Sequence, residues 1–457
     1  MFDLAIKNGM LVLDGHVFQG TLWVKDGKVA AVSESGTGEA AETVDASGCY
    51  VLPGAIDPHS HLNDPGYTES EDFYTGSCSA AAGGFTTVLE MPISIPVPAT
   101  AAILNEKKDI LSKKAVVDFG LWGACIPDNS SDMIQMAESG AVGFKGFLTY
   151  STHFPSINMG YIVKQMPAAA ACGKPLAVHC ETPEINDVFL KELQAQGRKD
   201  PAAHALSRPE ISEQAAVAAM CAVTEACEGA RLYIVHTSTA PAVELAQRAR
   251  RAGAQVYVET CSHFLSMDTG AFSEHGPFAV CNPPLRSRGS VELLWQKVLA
   301  GEVDCLGSDH APFLLEEKAG GAEDVFSIPA GFTSIQTCLP LIFDMAVNQR
   351  GMAVTDFARF TSTNAAKIFG LYPQKGSLRI GTDADITIIN PKGKWLVKKE
   401  DLFYKEPWSP FIGREIGCAV RAAIVRGKPV FYDGKILADP GYGRYLHSGP
   451  AIIKNTI

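Results

Sequence analysis

The sequence predicts an α/β fold: a (β/α)8 TIM barrel carrying a small β-sandwich domain formed by both chain termini. Two observations predict it. From Pro53 to about Leu371, eight short apolar runs alternate with longer Ala-rich helical segments, the pattern of a closed parallel barrel. Before and after that stretch the chain reads as β-hairpins, so residues 1–52 and 372–457 form one small sheet domain around a barrel of residues 53–371.

The terminal elements rest on alternation. Phe2 to Lys7 and Thr21 to Val32 alternate apolar and polar residues, with turn dipeptides at Asp14-Gly15 and Asp26-Gly27, a hairpin signature. Ala384 to Ile389 and Arg421 to Tyr432 repeat the style at the far end. The barrel strands are read at Ala55 to Asp57, Phe85 to Met91, Val117 to Cys125, Ala141 to Leu148, Pro175 to Glu181, Arg231 to His236, Gln255 to Thr260 and Val303 to Ser308. Helices are expected between them at Ser70 to Ala82, Asn129 to Ser139, Ser212 to Glu228 and Ala240 to Ala252. A doubly wound open sheet is the alternative, but no glycine-rich dinucleotide turn follows the first strand. Gly83-Gly84 precedes a strand and reads as a helix C-terminal stop.

Composition narrows the function classes. A chain of 457 residues, 46% hydrophobic and 19% charged, can bury a large core. No apolar run approaches the ~20 residues that span a bilayer, and Met-Phe-Asp-Leu opens without the regions of a signal peptide. A cytoplasmic protein with no membrane partner is therefore expected. The net charge of -11 disfavours nucleic-acid partners. Twelve cysteines without a Cys-x-x-Cys pair read as buried free thiols in a reducing compartment.

In a closed parallel barrel the chemistry sits at the C-terminal strand ends, so the polar residues there carry the functional reading. The first strand delivers His59 and His61, which alternate strand geometry points to one face. The fourth carries Lys145. His179 with Glu181, then His236, then Asp309 with His310 end the fifth, sixth and eighth strands. Singly, each has a dull explanation as a hydrogen-bonded or capping residue. Jointly, four histidines, one lysine and one aspartate at five strand termini point to a metal site.

The lysine is the odd member, because an ammonium repels a neighbouring cation. A neutral amine that adds carbon dioxide becomes an N-carboxylate able to bridge two metals, which removes the conflict. An unmodified or salt-bridged lysine is the alternative. Phe144 and Phe147 flank it in sequence, surroundings where an unpaired charge is costly. Four neutral imidazoles, two carboxylate-type anions and one hydroxide would set three negative charges against two divalent cations.

These residues resemble the cyclic amidohydrolases of the amidohydrolase superfamily, which comprise allantoinases, hydantoinases, dihydropyrimidinases and dihydroorotases. The anchors span the chain: Pro53 to His61, Ala82 to Val88, Gly143-Phe144-Lys145, Val178 to Glu181, Ser207-Arg208-Pro209, His236-Thr237-Ser238, Glu259 to His263, Asn282 to Arg286 and Ser308-Asp309-His310. The resemblance implies two divalent metal ions, zinc by family habit, with His59, His61 and Asp309 on one and His179 and His236 on the other. Carboxylated Lys145 would bridge them. It also implies a homotetramer and a small cyclic ureide or amide substrate. On this reading a bridging hydroxide attacks the ring carbonyl, and Asp309 takes its proton and passes it to the departing nitrogen. Glu181, His263 and His310 read as supports that orient ligands or as purely structural residues. A metal-binding protein without catalysis is the alternative of a different class.

The ring is read from departures. Asn63 stands where dihydroorotases carry a carboxylate-binding arginine, and Phe313 replaces their histidine. Asn63 to Glu71, Glu90-Met91-Pro92 and Glu259 to Phe264 look like allantoinase. Tyr150 matches a substrate-binding, oxyanion-assisting tyrosine of dihydropyrimidinases and D-hydantoinases, although loop packing is an equal reading. Met91-Pro92-Ile93 and Tyr372 to Gly376 resemble L-hydantoinases. Asn63, Tyr150 and Asn282 are the expected substrate contacts. The expectation is hydrolysis of allantoin to allantoate, with 5-substituted hydantoins or dihydropyrimidines as the alternative.

Overall fold

In the computed structural model, which describes residues 1–34, 38–151 and 153–449, eight strands pair in parallel in sequence order. They are β1 (Ala55–Ser60), β2 (Phe85–Glu90), β3 (Asp118–Ala124), β4 (Gly143–Phe147), β5 (Leu176–His179), β6 (Arg231–Ile234), β7 (Gln255–Cys261) and β8 (Cys305–Gly307). The sheet closes on itself where Ser60 bridges His310 in parallel. Two backbone bonds clamp the seam, Asp309 N–H to the His59 carbonyl at 2.9 Å and His61 N–H to the His310 carbonyl at 2.8 Å. Asp57 adds a side-chain tie by accepting from Ser308 N–H and hydroxyl at 2.9 and 2.6 Å. The strand residues are buried on both faces apart from Gln255 and Tyr257 at the start of β7, as expected for a parallel sheet covered by helices.

Every expected barrel run is a strand, but the ladders stop short of several expected ends. The sixth run ends at Ile234 and the eighth at Gly307 because His236 and Asp309 have φ of +37° and +45°. That left-handed backbone leaves the extended region, so each site residue sits on the first step out of its strand. Strand β1 runs further than expected, to Ser60, through Pro58. Proline has no N–H to give the ladder, and the β1–β2 register shifts between Asp57 and Ser60.

Helix boundaries follow their caps. The first barrel helix is Phe73–Ala82, later than the expected Ser70 start, because Asp72 accepts from Tyr74 and Thr75 N–H in a capping box. It ends at Gly83-Gly84, with Gly84 at φ +92° where a side chain would be strained. The helix expected from Ser212 spans Glu210–Glu225 instead, beginning directly after Pro209.

Both termini meet in one nine-stranded sheet. Tyr50–Pro53 pairs antiparallel with Ile386–Asn390, so the segment leading into β1 is hydrogen-bonded to the segment that leaves the barrel. Phe2–Leu13, His16–Lys25 and Lys28–Ser33 follow as hairpins, the second turning through Asp26 and Gly27 at φ +51° and +74°, a turn that needs two positive φ values. Leu4, Ile6, Leu22, Val51, Ile386 and Ile424 belong to a buried cluster separate from the barrel core. A polar hub ties sheet to barrel: buried Lys375 Nζ lies 2.5 Å from Asp118 of β3, 2.5 Å from Asp385 and 3.1 Å from Asp383. Arg426 also bonds Asp118. All twelve cysteines are free, and no helix of the described residues is long and apolar enough to cross a membrane.

Candidate metal centre and active-site cleft

A cleft of about 380 Å³ opens at the C-terminal ends of the barrel strands, with His59, His61, His179, His236 and Asp309 in its wall. Four strands contribute by the same local device, a side chain set at or just beyond the last ladder residue. Asp309 Oδ1 lies 3.2 Å from His59 Nε2 and 3.4 Å from His61 Nε2. These three residues have donor atoms close enough to share one ion. The His179 and His236 rings meet edge to face with centroids 4.5 Å apart, and His236 is 5.4 Å from the His59 ring. Lys145, fully buried on β4, lies with its Nζ 4.6 Å from the centre of the Phe147 ring.

The outward nitrogens of two histidines are held by carboxylates. Glu259 Oε1 is 2.7 Å from His59 Nδ1, and Glu181 Oε2 is 2.6 Å from His179 Nε2. Arg208 in turn clamps Glu181, with Nε and Nη2 at 2.9 and 2.5 Å. Burial alone would raise the Glu181 carboxyl, but the Arg208 charge and the bond from His179 outweigh it and hold it below the usual carboxylate range. Asp309 behaves alike, with His59 and the bond from His61 overcoming burial. Burial pushes the His61 imidazole down to about 4 and the Lys145 amine down to about 8.

The donor set fits a metal pair. Lys145 Nζ and His236 Nδ1 are buried without a hydrogen-bond partner among the described residues, an arrangement that is costly unless something else engages them. Burial favours neutral imidazoles and a neutral amine, the forms able to ligate or to take up carbon dioxide. Nitrogen and carboxylate donors of this kind suit zinc.

A family model described as the amidohydrolase family matches residues 50–430. The chain belongs to the amidohydrolase family. It is a hydrolase, and the family is metal-dependent. It is 36% identical over 439 residues to proteins named allantoinase from Escherichia coli O1:K1 and Escherichia coli strain SE11, covering 94% of this chain and 95% of each relative. Among solved structures, an L-hydantoinase (dihydropyrimidinase) from Arthrobacter aurescens superposes with a TM-score of 0.95 at 34% identity, covering 97% of this chain and 99% of that one. A dihydropyrimidinase from Brevibacillus agri NCHU1002 gives 0.93 at 30% identity, covering 99% and 100%.

The three expected substrate contacts all line the cleft. Asn63 commits its amide nitrogen to Ser70 Oγ and the Pro312 carbonyl at 2.9 and 3.1 Å. Asn282 Oδ1 is 2.9 Å from His204 Nε2. Tyr150 stands at the mouth, 69% exposed. Of the expected supports, Glu181 touches His179, whereas His310 Nδ1 accepts from Ser334 and Ile335 N–H at 3.0 and 3.4 Å, which ties the end of β8 to the start of the helix Ile335–Phe343, a structural role. Both ring nitrogens of buried His263 lack a partner among the described residues. Sequence reasoning gave no individual part to Glu259 or Arg208. Their motifs are visible, but only the closed barrel brings β7 behind His59 and the loop after β5 behind His179.

Proposed function

We propose that the chain hydrolyses the ring amide C–N bond of a five-membered cyclic ureide, with allantoin first and allantoate as product. The observation that carries this reading is the convergence of four imidazoles and Asp309 in the wall of one cleft, with the buried Lys145 amine, which has no hydrogen-bond partner among the described residues, close enough for its charge to act on His61, His179 and His236. His59, His61 and Asp309 would hold one divalent ion and His179 and His236 the other, with Lys145, as its N6-carboxylate, bridging. Zinc is the proposed metal. Such a pair, when bound, lowers the pKa of water and polarises a carbonyl. Asp309 accepts the proton of the attacking water and delivers it to the ring nitrogen, which leaves poorly as an anion. The neutral Lys145 amine adds carbon dioxide and loses a proton, turning a repelled cation into an anionic ligand. Glu181 and Arg208 fix the His179 ring so that Nδ1 faces inward. Asn63 Oδ1, Asn282 and Tyr150 contact the substrate.

The relatives named allantoinase support the ureide, as does the lack of a cation at Asn63 to receive a substrate carboxylate. A second reading, a hydantoin with an apolar 5-substituent, is favoured by one specific feature. Phe313, Leu314, Val325, Phe326 and Ile328 give the outer cleft an apolar wall. Rates on allantoin, 5-alkyl and 5-aryl hydantoins, dihydrouracil and dihydroorotate decide between them. A kcat/KM for a hydantoin about tenfold above that for allantoin, ~1.4 kcal/mol in transition-state stabilisation, moves the assignment.

We also propose domain limits of 1–52 with 372–457, and 53–371, residues 450–457 lying outside the described chain. A cytoplasmic setting accords with twelve free thiols. The homotetramer stays a proposal from the family resemblance, testable by light scattering.

A further inference from the structure

We infer that Glu259 is the positioning residue that joins both halves of the site, fixing the tautomer of His59 and the backbone of His236 with one carboxylate. This rests on the two-metal reading above. Glu259 lies on β7 and is fully buried. Its Oε1 is 2.7 Å from His59 Nδ1 and also accepts from His236 N–H at 2.9 Å. Its Oε2 accepts from the Tyr233 hydroxyl at 3.0 Å. With Nδ1 donating to Glu259, the His59 lone pair is on Nε2, the nitrogen that faces Asp309 at 3.2 Å. The same oxygen anchors a residue at φ +37°, a left-handed conformation that persists only where the surroundings enforce it.

The two carboxylates behind the histidines are unequal. Glu181 shares its charge with Arg208, whereas among the described residues no lysine or arginine lies within ion-pair distance of Glu259; His59 is its ion-pair partner, and the buried Lys145 amine feels its charge at longer range. Its negative charge therefore bears on the His59 imidazole in a dry, low-dielectric setting, which strengthens that ring as a donor. Space for it is built into the barrel. A Cβ on Gly307 of β8 would lie 2.7 Å from Glu259 Cδ, so the glycine leaves room for this side chain.

Glu259→Gln separates charge from shape, since the amide oxygen can still accept from His59 and His236 while its nitrogen faces Tyr233. Zinc affinity is measured on metal-depleted chains by competition with a chromophoric chelator, and the His59 tautomer by nitrogen-15 NMR of the metal-free wild type. The expected results are an Nδ1–H tautomer in the wild type and about 10- to 100-fold weaker zinc binding in Glu259→Gln. Tyr233→Phe, which leaves the charge but loosens its hold, should shift affinity in the same direction by less. A His59 Nε2–H tautomer, or Glu259→Gln binding within about twofold of wild type where loss of a carboxylate behind a ligand predicts at least ~10-fold, overturns the inference. The tautomer measurement needs no variant and no metal. A wild-type chain that bound no zinc would remove the two-metal reading, while the His59 tautomer would still decide the role of Glu259.

Discussion

Lys145 is where the chemistry of single side chains is most exposed to test. Its Nζ is fully buried with no hydrogen-bond partner among the described residues, and burial holds the amine at about 8, so at neutral pH about a tenth is neutral and open to carbon dioxide, far more than for an ordinary lysine. Lys145→Ala should lose metal and activity together, with partial rescue by a short carboxylic acid that fills the gap. Intact mass or crystallography showing an unmodified lysine in active, metal-loaded enzyme would refute carboxylation. Asp309→Asn poses the complementary question, because the amide keeps a weak oxygen ligand but cannot take a proton. Turnover should fall by ~10²–10⁴-fold while much of the metal stays bound. Retention of more than about a tenth of wild-type kcat, against the ~100-fold minimum loss expected when a general base is removed, would remove Asp309 from the proton-transfer role. These residues were legible in the sequence because strand ends announce themselves by pattern. The positive φ at Asn63, His236 and Asp309 was not, since no local motif demands it and tertiary contacts such as the Glu259 bond to His236 N–H enforce it.

At the scale of elements, the alternating runs marked each barrel strand because a buried parallel sheet selects continuous apolar stretches. The ends were less legible, since caps such as Asp72 and Pro209, rather than hydrophobic period, decide where helices begin. How the terminal sheet attaches was hidden altogether. Lys375 sits among Asp118, Asp383 and Asp385, residues spread over more than half the chain, and no spacing rule connects them. That hub gives a stability prediction. Lys375→Met removes a buried cation from between carboxylates that are themselves nearly inaccessible; Arg426 still pairs with Asp118 and Lys28 with Asp383, so the uncompensated charge falls on Asp385. Removing one partner of a buried pair typically costs about 3–5 kcal/mol. Urea unfolding of the metal-loaded chain should show a loss of that order, and a change below about 1 kcal/mol, the range of exposed ion pairs, would mean that the hub does not hold the sheet to the barrel.

For the molecule as a whole, the concentration of neutral histidines in one buried region sets its response to acid. His204 and His263 lie outside the proposed ligand set, and burial pushes both down to about 4 from an ordinary value near 6.5. Between those values the unfolded chain binds protons at these positions and the folded chain does not, so stability rises with pH and is lost as pH falls through the window. Above about 6.5 both states are neutral, and below about 4 both are charged, so the slope belongs to the interval between. Each such histidine contributes a slope of up to about 1.4 kcal/mol per pH unit. The metal-free chain should therefore lose urea stability steeply from pH 6.5 to 4.5, with further loss from His61, also held near 4 by burial. Zinc should carry the His61 share on to lower pH, because a ligated imidazole resists protonation in the folded chain while the unfolded chain still takes up the proton, and should leave the His204 share intact. His204→Gln keeps a polar group near Asn282 without a titrating ring, and should reduce the slope of the metal-free chain by about 1.4 kcal/mol per pH unit. A slope unchanged by that substitution would show that His204 is protonated equally in both states, and the acid response would then have to come from the other buried histidines.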